Sequence, residues 1–344
     1  MNLIAFKKLY PDLVDKIEKR YDILKTISSN QPIGRRYIAN ILGISERYIR
    51  NEIQLLSEIG YIKTESIGMS ITNEGNNILD ELEDYIYELK NLDSLAKQVK
   101  DKLNIKNVII STGSFQTETG KKDLGRTAAK YFMNVLKDGQ NIGITGGSTM
   151  GLVVDCIHSI KKYKNSYVVA ARGSLGGSAI NQSNLLAIQL SEKLNASYSS
   201  FYLPDNFNKN NDFDITKLPD IEKTLKKIDN LDVLLFGIGD ARKLAFRRKL
   251  EDKEIEILKN KKAVAEAFGN YFDILGNKVY ESYSIGINLE QYKKTKEVIA
   301  VAGDDDKEEA IIAISSITDN LTLIITELCA KNILNKLNNL ETVI

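Results

Sequence analysis

Residues 33–62 read IGRRYIANILGISERYIRNEIQLLSEIGYI. Ile38, Ala39, Ile41 and Leu42 make one short amphipathic helix, and Gly43-Ile44 interrupts it. Ser45 stands where an N-cap belongs, because its hydroxyl can accept from an otherwise unpaired backbone N–H. Ile49, Ile53, Leu56 and Ile59 follow at helical spacing, so they share a buried face. Glu46, Arg47, Tyr48, Arg50 and Asn51 fall on the opposite face of the first turns. This is the layout of a helix-turn-helix whose second helix presents its early residues to base edges in the major groove. Arg35 and Arg36 come earlier and suit phosphate contacts. After Gly60, Tyr61-Ile62-Lys63-Thr64 and Ser70-Ile71-Thr72 alternate around Gly68, which predicts a β-wing. A helical hairpin that merely packs would share some of this pattern. The exposed arginines, the central glycine and the wing favour DNA contact, with Arg35, Arg36, Ser45, Arg47, Tyr48, Arg50 and Asn51 as candidates.

The chain has 344 residues, more than a winged helix needs, so a larger domain follows. The sequence predicts a DNA-binding domain with a linker helix over 1–90 and a second domain over 91–344. A hydrophobic fraction of 43% with 27% charged residues is ordinary for a water-soluble globular chain. Net charge is only +1, but residues 1–72 hold 11 Lys/Arg against 8 Asp/Glu. That modest local excess fits site-specific binding better than a nonspecific DNA coat. Cys156 and Cys329 lie in apolar helical patterns and read as buried free thiols. Two cysteines and one histidine do not make a zinc site, and no metal or cofactor is expected. No signal peptide opens the chain and no apolar run is long enough to span a bilayer, so a cytoplasmic location is expected.

Residues 73 to about 103 read as one helix with Ile78, Leu82, Ile86, Leu89, Leu92, Leu95 and Val99 near heptad spacing. It either packs on its own domain or forms a dimerising seam; its place between two domains favours the seam. From Ile105 onward, short apolar strands alternate with helices predicted over 122–136, 149–161, 181–194, 240–259, 307–317 and a last one ending near Leu337. The pattern means an open, parallel, Rossmann-like α/β sheet covered on both faces. Residues 260–290 break the rhythm and suggest a small strand-rich insert.

Ligands of such sheets sit beyond the carboxyl ends of the strands. Ile142-Gly143-Ile144 runs into Thr145-Gly146-Gly147-Ser148-Thr149-Met150, where glycines and a helix N-terminus could cradle an anion. No Gly-Lys-Ser/Thr is present, so this is not a Walker loop. A tight turn would read the same way. Arg172, in Ala171-Arg172-Gly173-Ser174-Leu175-Gly176-Gly177, could clamp a phosphate or form a salt bridge. Asn181 and Gln182 open the next helix. Phe236-Gly237-Ile238-Gly239-Asp240 ends another strand, with Arg242, Arg247 and Arg248 close behind. Glu266 lies among apolar neighbours, an odd place for a surface residue. Gly303-Asp304-Asp305-Asp306-Lys307 could supply one more cation.

Taken in order, the winged helix, GGSTM, ARGSLG, INQSN, FGIGDA, the RR pair, AEAFGNYFD and GDDDKEEA resemble the SorC/DeoR type of bacterial transcriptional regulators over essentially the whole chain. The resemblance implies an effector domain similar to sugar-phosphate isomerases. Its glycolytic branch implies a repressor of central glycolytic genes that binds operator DNA and responds to fructose-1,6-bisphosphate. Gly147, Ser148 and Thr149 would hold one phosphate with Lys307 nearby. Arg172 and Arg247 would bear on the phosphorylated ends, and Gln182 and Glu266 on sugar hydroxyls. A homodimer or homotetramer is implied as well. The alternative is a phosphosugar isomerase or deaminase. Such an enzyme needs a placed base, typically a histidine, and His158 is the only one, expected on a helix away from the strand ends. A DNA-binding architectural protein is a third reading, which the convergent Arg and Gly loops disfavour.

Overall fold

The computed structural model describes residues 3–113, 115–173, 181–201, 214–303 and 306–341. The chain forms two compact units. One comprises the chain up to Leu95 together with Thr112–Lys122; the other comprises Ala96–Ser111 with the chain from Asp123 on.

The first unit holds α1 (Leu3–Leu9), α2 (Pro11–Asn30), α3 (Arg35–Leu42), α4 (Glu46–Ile59), β1 (Ile62–Glu65), β2 (Gly68–Ile71) and α5 (Asn73–Leu89). Gly43 ends α3 in the left-handed region at φ 64°, and Ser45 caps α4 by accepting from the Tyr48 amide at 3.3 Å. β1 and β2 pair antiparallel with Glu65 opposite Gly68, and Ile33 bridges to Met69 alongside them. Ile38, Ile49, Ile53, Leu56, Ile62 and Met69 close one core with Ile23, Ile27 and Ile86. Each such side chain contributes about 1.5–3 kcal/mol by leaving water.

The helix expected to run unbroken to residue 103 is two helices. Asn91 sits at φ 53°, and α6 (Leu92–Leu103) starts afresh beyond it. Ile86 and Leu89 are buried in the first unit's own core, with Ile78 and Leu82 packed against it. These residues are therefore spent within the chain, and the proposed dimerising seam is not available along α5. Burial of the apolar stripe outweighs the small cost of Asn in the left-handed region.

In the second unit β3 (Asn107–Ser111) is followed by α7 (Glu118–Val135), β4 (Asn141–Ile144), α8 (Ser148–Cys156), β5 (Tyr167–Ala170), α9 (Ser183–Leu194), β6 (Ser197–Ser199), α10 (Pro219–Ile228) and β7 (Val233–Gly237). Then come β8 (Gly239–Asp240), α11 (Ala241–Arg247), α12 (Asp252–Asn260), β9 (Ala265–Ala267), β10 (Asn270–Phe272) and β11 (Lys278–Glu281). The chain finishes with α13 (Leu289–Lys294), β12 (Glu297–Ala302), α14 (Glu308–Ser315), β13 (Leu321–Thr326) and α15 (Glu327–Glu341). Among the described residues the main sheet has the order β3-β13-β12-β7-β4-β5-β6, and every pair is parallel. Every residue of β13 is buried, as is nearly every one of β7 and β12, so both faces are covered. The expected insert is a separate antiparallel sheet, β11-β10-β9-β8. From β4 the chain moves outward to β5 and β6, then returns to β7 on the other side and on to β12. The strand order therefore reverses between β4 and β7.

Candidate functional site

A cleft of about 520 Å³ opens at that reversal, where parallel α/β sheets bind their ligands. Thr145 to Ser148 leave β4 on one side of it, and Phe236 and Gly237 end β7 on the other. Gly147 has φ 130° and ψ 154°, a region essentially confined to glycine, and no side chain caps α8. The first turn of α8 thus offers uncapped N–H groups, a favourable place for an anion. The loop is held in place: Gly147 N donates to Asn181 O at 2.9 Å, and Ser183 Oγ to Ile144 O at 2.9 Å. A Cβ at Gly146 would meet Asn181 O at 2.8 Å, so this close approach requires glycine.

Arg172 lies two residues beyond the end of β5, and its backbone bridges to Gly286. Its Nη1 donates to Glu266 Oε1 at 3.0 Å and its Nη2 to Ser284 Oγ at 2.8 Å. Glu266 is the middle residue of β9 and is 2% exposed, which explains its apolar neighbours. The same oxygen accepts from Arg248 Nη2 at 2.9 Å and from Gly269 N at 2.7 Å. Phe236 and Phe268 also line the cleft, and their rings pack on each other and on the buried Tyr292. Phe268 adopts φ 55° in the turn from β9 to β10, an uncommon conformation for an aromatic residue. Burial pushes the Tyr271 and Tyr292 hydroxyls above the usual tyrosine range. Tyr280, partly buried and donating to Glu254, is pushed up to about 12. These tyrosines stay neutral near pH 7.

Of the sequence-predicted effector residues, Gly147, Ser148, Arg172, Gln182, Arg247 and Glu266 line this cleft together. Thr149 is buried in the first turn of α8, and Lys307 is half-buried just before α14; neither is among the described lining residues. Ser174 to Gly177 and Asp304-Asp305 lie outside the described residues. Sequence reading missed Lys249, Phe236 and Phe268 as lining residues. Among the described residues the charged lining is three cations, Arg172, Arg247 and Lys249, against one carboxylate. Asp240 caps α11 through the Lys243 amide at 2.8 Å, and Asp306 pairs with Lys243 Nζ at 2.8 Å. α8 ends at Cys156, not near residue 161, because Ile157 is extended; His158 lies beyond the helix and is exposed. Cys329 is buried as expected, while Cys156 is only partly so, and neither is in a disulfide.

On the first unit Arg35, Arg36, Arg47, Arg50 and Asn51 are all exposed, as is Ser45 at the cap. Glu46 lies 3.6 Å from Arg36 and 4.0 Å from Arg50, loose pairs in open solvent. Tyr48 departs from the expected face. It turns onto the core beside the Lys19 ammonium, 5.7 Å from the ring centroid, and burial with nearby Glu52 raises its pKa. The helical period places it next to Glu52, which is buried against Arg20, and not beside Arg47. Gln54, seven residues after Arg47, is exposed on the Arg47 face instead and donates to Glu58. A two-turn repeat was the signal for it.

A winged helix followed by a parallel α/β unit with a cationic cleft is the architecture of a transcriptional regulator with a sugar-binding domain. Residues 17–86 match the CggR N-terminal DNA binding domain, and residues 87–335 match the family described as a sugar-binding domain. The chain is 34% identical to the central glycolytic genes regulator of Bacillus subtilis, over 96% of this chain and 97% of that one. It is 35% identical to the central glycolytic genes regulator of Priestia megaterium, over 96% and 98%. A SorC family regulator from Enterococcus faecalis superposes with a TM-score of 0.64 at 29% identity, over 70% of this chain and 99% of that one. Full-length SorC from Klebsiella pneumoniae, the sorbitol operon regulator, shares the fold with a TM-score of 0.62 at 19% identity, over 94% and 98%. The chain belongs to the SorC/DeoR-type family of bacterial transcriptional regulators.

Proposed function

We propose that this chain represses central glycolytic genes by binding an operator, and that fructose-1,6-bisphosphate in the cleft weakens that binding. The observation that carries the reading is the cleft at the strand reversal. It combines an uncapped helix N-terminus, three cations and a buried carboxylate, a donor and acceptor set suited to an anionic polyol. The two relatives named central glycolytic genes regulator supply the class of target genes. DNA contact is assigned to Arg35, Arg36, Arg47, Arg50 and Asn51, with Gln54 added.

Binding energy in this cleft acts by switching. His158 is not among the described lining residues, and the carboxylate that lines the cleft, Glu266, is paired with two guanidiniums, so the enzyme alternative lacks an evident base. The sugar shifts the DNA-binding equilibrium only by its differential affinity for the two states, typically about 1–3 kcal/mol. A half-site reader gains by pairing, so a dimer or larger assembly is expected on DNA. No helix among the described residues is long and apolar enough to cross a membrane. Operator binding places the protein in the cytoplasm.

Calorimetry with fructose-1,6-bisphosphate, with and without operator, tests the switch. Reciprocity requires the operator to weaken the sugar by the factor that the sugar weakens DNA. Identical sugar affinities would sink the switch, and conversion of excess sugar followed by NMR would establish the enzyme instead. Arg172→Ala should cost about 1.5–3 kcal/mol of sugar binding. Light scattering that showed only monomer, with and without operator, would remove the pairing.

A further inference from the structure

Glu266 carries more charge compensation than one ion pair requires. Arg172 Nη1, Arg248 Nη2 and the Gly269 amide all converge on Oε1 at 3.0, 2.9 and 2.7 Å. The side chains of Arg172, Arg248 and Glu266 are 10, 5 and 2% exposed. Arg172 and Glu266 line the cleft, whereas Arg248 is not among the described lining residues. Two buried guanidiniums therefore face one buried carboxylate, one from the cleft wall and one from behind it.

This matters because Arg172 has two possible anions. Were Arg172 the sole counter-ion of Glu266, turning it toward a ligand phosphate would leave a buried carboxylate without a counter-ion, and much of the gain would be lost. Arg248 and the Gly269 amide hold Oε1 independently of Arg172 in this arrangement, so Glu266 has a second counter-ion. Arg172 also donates to the neutral Ser284 hydroxyl, which a phosphate oxygen can replace with a stronger, charge-assisted partner.

We propose that Arg248 is a positioning residue for effector binding: it balances Glu266 from outside the cleft and so leaves Arg172 able to engage a ligand phosphate. The inference rests on the cleft being the phosphosugar site. The neighbouring Arg247, exposed at the cleft, has the opposite task of meeting the ligand directly.

The test is calorimetry of the full chain with fructose-1,6-bisphosphate, using wild type, Arg248→Gln, Arg248→Lys, Glu266→Gln and the Arg248→Gln/Glu266→Gln double variant, with thermal melts of each. Arg248→Gln should lower affinity by at least about tenfold, because Arg172 stays committed to Glu266. In the Glu266→Gln background the same change should cost less than about threefold, since no carboxylate needs balancing. A purely structural Arg248 predicts equal losses in both backgrounds, and that result, or unchanged affinity in Arg248→Gln, overturns the proposal. Should Arg248→Gln lose its cooperative melt, Arg248→Lys decides. It keeps the charge and should bind within about threefold of wild type, and a folded Arg248→Lys protein weakened beyond tenfold overturns the role. Failure of wild type to bind at all overturns the phosphosugar reading and this inference with it; binding by wild type with no loss in the variants overturns the inference alone.

Discussion

The arginines of the winged helix and those around Glu266 are the same side chain in opposite settings. Arg36 and Arg50 are 89 and 61% exposed and make only loose contact with Glu46. Pairs like these contribute little to stability and stay available to a polyanion. Arg172 and Arg248 are nearly buried around a carboxylate that is itself buried. Water has already been removed from them, so their geometry is set before a ligand arrives, and breaking the set is costly. Exposure suits long-range, salt-sensitive attraction to DNA; burial suits discrimination between small anions.

The largest effect that could break this contrast is on stability. Glu266→Ala leaves two buried guanidiniums without their shared anion and should cost about 3–5 kcal/mol in denaturant unfolding, whereas Arg50→Ala should stay within about 0.5 kcal/mol. Comparable losses would show that burial does not separate the two sets. Next comes operator affinity. Arg47→Ala should cost about 1–3 kcal/mol and relax base preference at one position, while Arg36→Ala should weaken all sequences alike and reduce the salt slope by about 1. A filter-binding salt series on both variants sharpens the division between base and phosphate contacts.

At the cleft, Gly147→Ala forces a residue with a Cβ into a glycine-only conformation, at about 1–3 kcal/mol. Effector release of DNA should be lost while operator binding without sugar is retained. Gel-shift titration separates the two, and a variant still released by sugar would remove this loop from the site. The smallest expected effect is Ser45→Ala. It removes the hydroxyl that accepts the Tyr48 amide and should cost about 1 kcal/mol of stability. An operator affinity that falls by more than the accompanying loss of stability explains would give Ser45 a second role at the DNA.

Local patterns carried much of this protein in its sequence. The two helices of residues 33–62, the wing, the succession of apolar strands and helices and the glycine-rich strand ends all depend on neighbours a few residues apart. Hydrophobic period, helix caps and turn chemistry report on just that range. Six of the eight residues singled out for the effector meet in one cleft. Gly147, Ser148, Arg172 and Gln182 do so because parallel strands end on one side of their sheet, whatever their order, while Arg247 and Glu266 reach it from α11 and the antiparallel sheet.

Tertiary structure alone decided what depends on distant partners. The stripe over 78–99 reads as one helix, but burial of its first half in the winged-helix core accompanies a break at Asn91. Tyr48 looks exposed until Lys19 and the core receive it. The two arginines at 247 and 248 are equivalent as letters. Only the approach of Glu266, 18 residues beyond Arg248 and 94 beyond Arg172, turns one of them inward and leaves the other exposed at the cleft. A local pattern records which side chains can be buried. Which charge meets which counter-charge follows only when the two sheets come together and the solvent between them is excluded.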